Sequence, residues 1–334
     1  MIKRFWPVAL IALLFAPAVH AQHPAPLRLI DTIPLPGVQG RIDHFDMDLI
    51  HRRLFMSALG NNTLEVFDLR TNKPIHTISG LHEPQGVTYV PKSNRIFVAN
   101  GDDGIVRIFD GDTYKLLKVV HFPSDADDTR YDSDTNRVFV GYGDEGHAGL
   151  GILEASTGDL LETIRLPGHP ESFQLEESGA RIFVNIPTAG NKVAVVNRRD
   201  GRIVGMWSLG KAQDNFPMAL DEKDHRLFII TRAPPEVLVL DTESGKIIAE
   251  ASSAGHADDV WYDEAHKRIY VSGGSGSISV IQQEDVRHYS TMAQIRTPPG
   301  GRTSLFVPEL NRLYLGVWGR VGQPEVLQVY EVQP

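Results

Sequence analysis

The sequence contains no cysteine. That excludes a disulfide framework, a thiolate nucleophile, a cysteine-held metal cluster and covalent haem attachment. Any metal would have to be held by His, Asp, Glu, Asn or backbone oxygen. Positive charge is also scarce, with 33 Lys and Arg against 42 Asp and Glu and no basic run among them. Sequence-independent nucleic-acid binding rests on clustered Lys and Arg, so this acidic chain is a poor candidate for it and no nucleic-acid partner is expected. No basic amphipathic stretch points to a membrane surface. Long apolar runs are absent except for Trp6 to Pro17, which is too short to span a bilayer. Lys3 and Arg4 precede that run and Val19-His20-Ala21 follows it, the pattern of a secretory signal peptide over residues 1–21. The expectation is a periplasmic or secreted protein starting at Gln22, inserted in no membrane and with no cysteine to carry a lipid anchor.

What the sequence does have is one unit written seven times. Its anchor is a basic residue followed by three apolar ones, first Arg53-Leu54-Phe55-Met56 and Arg95-Ile96-Phe97-Val98. The same anchor begins at Arg137, Arg181, Arg226, Arg268 and Arg312, so neighbours are 42 to 45 residues apart. Each unit reads as four short β-branched and aromatic strands separated by Gly-, Asn- and Asp-rich turns, with no helical stretch. Four strands repeated at that period predict β-propeller blades. The seventh unit stops after its third strand. Leu29-Ile30-Asp31-Thr32-Ile33-Pro34-Leu35-Pro36-Gly37 nearly repeats Leu160 to Gly168, a fourth strand with its crossing. The expected fold is therefore all-β, a single domain over residues 22–334. It has seven four-stranded antiparallel blades, the last closed by the N-terminal strand, which removes an exposed edge.

Arg95-Ile96-Phe97-Val98-Ala99-Asn100, followed by Val106-Arg107-Ile108-Phe109-Asp110, resembles the "YVTN" β-propeller repeat of secreted bacterial proteins, the YncE-like group. The resemblance runs from about Gly37 to the C-terminus and implies the fold and export. Members of such groups include surface, binding and redox-associated proteins, and the wider seven-bladed class includes lactonases and a lyase. No catalytic motif of these carries over by residue. A His-Glu-x-x-His metal motif and a Gly-x-Ser-x-Gly elbow are absent, and Gly273-Gly274-Ser275-Gly276 lacks the Lys-Ser/Thr of a phosphate loop.

Positions counted back from each anchor sort the acids. Five before it stand Asp48, Asp132, Glu176, Asp221 and Asp263, where a carboxylate accepts turn N–H bonds. Six and eight before it stand mostly large or apolar residues, expected to pack between blades. Ten and nine before it stand Asp43-His44, Gln85-Gly86, Asp127-Asp128, Glu171-Ser172, Phe216-Pro217, Asp258-Asp259 and Arg302-Thr303. Twelve before it stand Arg41, Glu83, Asp125, His169, Asp214, His256 and Gly300. These lie where one blade crosses to the next, at one end of the channel, so residues forty apart should meet in a funnel with His82 and Asn215. Turns on that side can add Asn61, Asn62, Asp102, Asp103 and His147. His51, His225 and His288 read as surface turn residues.

The expected ligand-binding rim is thus Arg41, Asp43, His44, His82, Glu83, Gln85, Asp127, Asp128, His169, Glu171, Asn215, His256, Asp258, Asp259 and Arg302. Within it, Asp127, Asp258 and His256 are candidate metal ligands. Their oxygen-rich character suits Ca²⁺ or Mg²⁺ better than Zn²⁺. The competing account is that each acid caps a turn and stays hydrated. Three functional readings stay open. The first is a monomeric propeller binding a small polar molecule or an exported protein. The second is a lactonase-like, metal-dependent hydrolase with its site on the channel axis. The third is an accessory subunit of a periplasmic redox system. No catalytic residue is assigned.

Overall fold

In the computed structural model, which describes Ile2 and residues 25–334 apart from Glu145 and Val321, the chain forms seven separate four-stranded antiparallel sheets. The expected leader at residues 1–21 lies outside the described residues, save Ile2. Numbered by their innermost strands, the blades span residues 45–78, 84–121, 126–165, 173–208, 213–252 and 257–296. Blade 7 consists of Thr303–Val307, Arg312–Val317 and Val326–Val332 with Leu27–Pro34 as its outermost strand. Among the described residues helix is limited to three short 3₁₀ turns, such as Pro187–Ala189. Among the described residues no helix is long and apolar enough to cross a membrane.

The anchor strands form the buried layer, because their alternating faces both meet a neighbouring blade. Every residue of Arg53–Ala58 is buried. Phe55 and Val66 of blade 1 pack with Tyr89, Ile96 and Val98 of blade 2. Phe139 and Ile152 of blade 3 do the same with Phe173 and Val184 of blade 4. The residues eight before each anchor, from Phe45 and Val87 to Ser304, are all buried as their period-2 position requires.

Ring closure follows the expected topology, with the N-terminal strand completing blade 7. Leu27 pairs with Val332, Ile33 with Leu327 and Pro34 with Val326. Pro34 is exposed on the outer edge, where a missing donor costs nothing. The acids five before the anchor are turn acceptors: Asp48 takes the N–H groups of Ile50 and His51, both at 3.0 Å, and Asp263 takes that of His266 at 3.2 Å.

Each inner strand enters at the crossing and runs along the channel, and five of the seven leave at an acid-capped turn. The crossing end is therefore one mouth of the channel. There, most inner strands carry a β-bulge. Ser57 faces both Asp43 and His44, accepting from the first at 2.8 Å and donating to the second at 3.0 Å. Asn185 faces Glu171 and Ser172 in the same way, at 2.9 and 3.0 Å. Register shifts mark the same place in blades 2, 3, 5 and 6. A bulge sets two residues against one and re-aims their side chains.

Candidate functional site

Ionic groups from six blades, several of them in bulged pairs, come together at the mouth. Asp43 is fully buried, and its Oδ2 lies 2.8 Å from Arg41 Nη2. The same Arg41 nitrogen lies 3.6 Å from Asp258 Oδ2 of blade 6. Asp258 is also approached by Arg302 Nε of blade 7 at 2.7 Å and paired with Arg232 of blade 5. His44 stands between Asp259, 3.4 Å from its Nδ1, and Asp43, 3.8 Å from its Nε2. The second Asp259 oxygen accepts the Ser304 N–H at 2.7 Å.

On the side formed by blades 3 and 4, His169 Nε2 lies 3.6 Å from Asp127 Oδ2 while its Nδ1 bonds the Gly143 carbonyl. The Glu171 carboxyl makes neither a hydrogen bond nor an ion pair with any described residue, yet it joins ligand atoms of Asp127 and His169 within 4.8 Å. Asp128 pairs with Arg130 and accepts the Thr129 N–H at 2.9 Å.

The protonation states follow from burial and crowding. Burial pushes Asp43 up to about 6, with the Asp258 and Asp127 charges adding to it and Arg41 and His44 opposing. Burial also pushes Glu171 up to about 8, reinforced by Asp127 and Asp258. For His169 burial works downward, but the bond and charge of Asp127 outweigh it and hold the imidazole at about 9. His44 is raised well above the ordinary imidazole value, its burial outweighed by Asp259 and Asp43. At neutral pH the mouth thus holds a protonated carboxyl beside an imidazolium–carboxylate pair. That arrangement can donate or accept a proton, or exchange protons for a cation.

Of the rim residues expected from the sequence, Arg41, Asp43, His44, Asp127, Asp128, His169, Glu171, Asp258, Asp259 and Arg302 meet here. Gln85 is joined to them indirectly, donating to Asp125 at 2.8 Å, while Asp125 Oδ2 lies 3.7 Å from His169. Its neighbour Gly86 has no room for a side chain, because a Cβ there would lie 2.3 Å from the Asp127 carbonyl oxygen.

The remaining expected rim residues take other places. Asn215 is fully buried, donating to Asn185 at 2.9 Å and to the Lys192 carbonyl at 3.1 Å, so a ligand cannot touch it. Glu83 and His256 are exposed with left-handed backbone, φ 50° and 56°, and serve the crossing turn. His82 is exposed, 3.7 Å from Asp102. Asp103 pairs with Arg107 at 2.6 Å, Asn62 accepts the Glu83 N–H at 2.8 Å, Asn61 bonds Thr63 at 3.0 Å and His147 is exposed, all being turn chemistry.

The expected metal set of Asp127, Asp258 and His256 is divided between these places. Asp258 sits among three guanidiniums and His256 on the exposed turn. Among the described residues, the group whose ligand atoms lie close enough to share one ion is Asp127, His169 and Glu171. The doubled aspartates do not form a bare negative funnel, because Arg41, Arg130, Arg232 and Arg302 offset them.

Sequence reasoning missed Arg232. It follows its anchor by six residues, where other blades have Leu59, Gly101, Gly143, Pro187, Gly274 and Trp318, and a lone guanidinium in that column was the signal. Phe216 supports it from below, with the guanidinium carbon 3.6 Å from the ring centroid. The column seven before the anchor was missed too. Alternation aims it at the axis, and Asp46, Thr88, Arg130, Gln174, Trp261 and Leu305 line a channel cavity of about 560 Å³ reaching up to Asp259.

The fold and the mouth together define a seven-bladed β-propeller with an ionic cluster at one end of its channel. No family model matches the chain. It is a distant homologue of the protein named "Uncharacterized protein YncE" in Salmonella typhi, 29% identical over 136 residues, 40% of this chain and 35% of that protein. The protein of the same name in Salmonella typhimurium strain LT2 is 28% identical over a stretch of equal length and the same shares. The match thus spans about a third of these relatives' own length, and their names state no activity.

Proposed function

We propose that this chain is an exported binding propeller that takes a small polar ligand at the ionic mouth of its channel. The observation that carries the reading is unspent hydrogen-bonding capacity. The Glu171 carboxyl has no protein partner among the described residues, and it faces the same space as guanidiniums with spare donors. Buried and half-buried polar groups are ordinarily partnered, and a surplus gathered from several blades in a concave site is the usual mark of a ligand site. The basic, apolar and small-residue succession of residues 1–21 supports export. The test is a panel of small amino acids, hydroxy acids and sugars, followed by thermal midpoint. A ligand bound only by the folded state must raise it. Glu171→Gln and His169→Gln should abolish the rise while leaving the unliganded midpoint within about 2 °C. Equal losses of binding and stability would assign these residues to the fold instead.

A second reading rests on the Asp127–His169–Glu171 group. Two carboxylates and an imidazole suit a divalent cation, and the Gly143 carbonyl fixes the ring so that Nε2 points into the cluster. Such an ion would supply the Lewis acid of a hydrolase. Elemental analysis of protein purified without chelator decides it. Metal near one per chain, lost in Glu171→Gln, would support this reading, and a midpoint indifferent to millimolar Ca²⁺, Mg²⁺ and Zn²⁺ would end it.

A further inference from the structure

We infer that the three arginines around Asp258 form a carboxylate-binding subsite, in which Asp258 occupies part of the place that a ligand's carboxylate takes. The inference rests on the reading of the mouth as a ligand site and names the ligand's anionic group.

Arg41, Arg232 and Arg302 come from blades 1, 5 and 7 and converge on one carboxylate. A guanidinium has five N–H donors in a rigid fork. Arg302 approaches Asp258 only through Nε, and that N–H is not aligned for a hydrogen bond. Arg41 is shared between Asp43 and Asp258, and its own Nε is buried without a hydrogen-bond partner. Arg232 spends Nη2 on Asp258 and Nε on the Ala257 carbonyl at 3.0 Å, which leaves Nη1.

The three side chains keep only 33, 18 and 20% of their exposure. They are therefore largely desolvated while most of their donors are unspent, a costly state that an incoming anion relieves. Phe216 holds the Arg232 plane by stacking, so its edge is presented to a planar acceptor rather than left to swing. Crowding among the three has a second effect: burial, and then the like charges of Arg302 and Arg41, hold Arg232 below the usual arginine value despite Asp258. Glu171 is near enough to feel the charges of Asp258 and Arg232, and with Asp127 it leaves a place for a donor group in the same mouth. The fitting ligand class is a small carboxylic acid with a hydroxyl or ammonium at its other end.

The experiment is calorimetric titration of the full chain with glycine, lactate, succinate and inorganic phosphate, in wild type, Asp258→Asn and Arg232→Lys. A carboxylate should bind wild type. Asp258→Asn frees the forks and should bind it roughly tenfold tighter, whereas Arg232→Lys keeps the charge but loses the fork and should weaken it roughly tenfold. Arg232→Lys also stands as the deciding variant should Asp258→Asn fail to fold. Binding of phosphate without any carboxylate, or carboxylate affinity indifferent to both substitutions, overturns the inference. So does binding of none of the four by Asp258→Asn. A polar ligand from the earlier panel that still raises the wild-type midpoint through Glu171 would then show that the mouth binds ligands and the arginines only neutralise Asp258.

Discussion

Asp43 shows how a single residue at the mouth is set against the fold that holds it. It is wholly buried, its oxygens take no well-aligned hydrogen bond, and its carboxyl is pushed up to about 6. Between the ordinary carboxylate value and 6 the native state therefore holds a proton that the unfolded chain has released. Stability contributed there is lost as pH rises through that window. His44 acts in the same direction, since a raised imidazole contributes fully below its unfolded value and loses that contribution as pH climbs through its folded one. Denaturant unfolding should accordingly show stability falling from pH 5 to pH 8. Asp43→Asn should flatten the lower part of that fall and gain roughly 1–2 kcal/mol at pH 8. An unchanged slope in the variant would place the pH dependence elsewhere. Apart from Arg41 and His169, the column twelve before the anchor shows the opposite case, where chemistry-bearing residues do backbone work. Glu83, Asp125, Asp214 and His256 all have φ between 36° and 58°, and Gly300 has 103° in the seventh copy. A left-handed crossing turn, which Gly, Asn, Asp and His tolerate best, is what these five positions record.

At the scale of strands, the anchor arginine does more than mark the repeat. Arg53 donates to Asp48 at 2.6 and 3.0 Å and to the Gly111 carbonyl of the next blade. Arg181 reaches the Thr242 carbonyl of blade 5 at 2.6 Å, and Arg268 reaches the Gln333 carbonyl beside blade 7 at 2.5 Å. In Arg53 and Arg181 one guanidinium thus ties a hairpin to its own turn acid and to its neighbour, whereas Arg268 bonds Gln282 in place of the acid. Because Arg53 and Asp48 are buried together, Arg53→Ala leaves a buried carboxylate without its main partner and should cost about 3–5 kcal/mol. The exposed Lys223–Glu264 pair, with side chains 70 and 57% exposed, is the control, and Lys223→Ala should leave stability nearly unchanged. Comparable effects in the two variants would mean that the anchor arginine is only a surface charge.

For the whole molecule, stability depends on closing the ring. Leu27–Pro34 supplies the outer strand of blade 7 and buries Leu27 and Ile33 against it. Deleting residues 22–37 bares the edge of Val326–Val332 and uncovers apolar surface. The truncated chain should aggregate, or unfold at a midpoint more than about 10 °C lower, read by light scattering and calorimetry. A monomer with the wild-type midpoint would contradict the closure. The fold was legible in the sequence because a blade is a local object. Its strands pair with their immediate successors, its turns demand particular residues, and each repeats every 42 to 45 positions, so seven weak local signals add up. The gathering of Asp43, Asp127, Glu171 and Asp258 at one mouth followed from the same counting. Which groups meet did not follow, because a pairing between blades 1 and 6, or 5 and 6, is fixed by angle around the closed ring rather than by distance along the chain. The bulges turn adjacent residues to one side, and Arg232 enters from a turn that is apolar or glycine elsewhere. Only closure of the ring decided that Asp258 is held by three arginines while the Glu171 carboxyl finds no protein partner among the described residues.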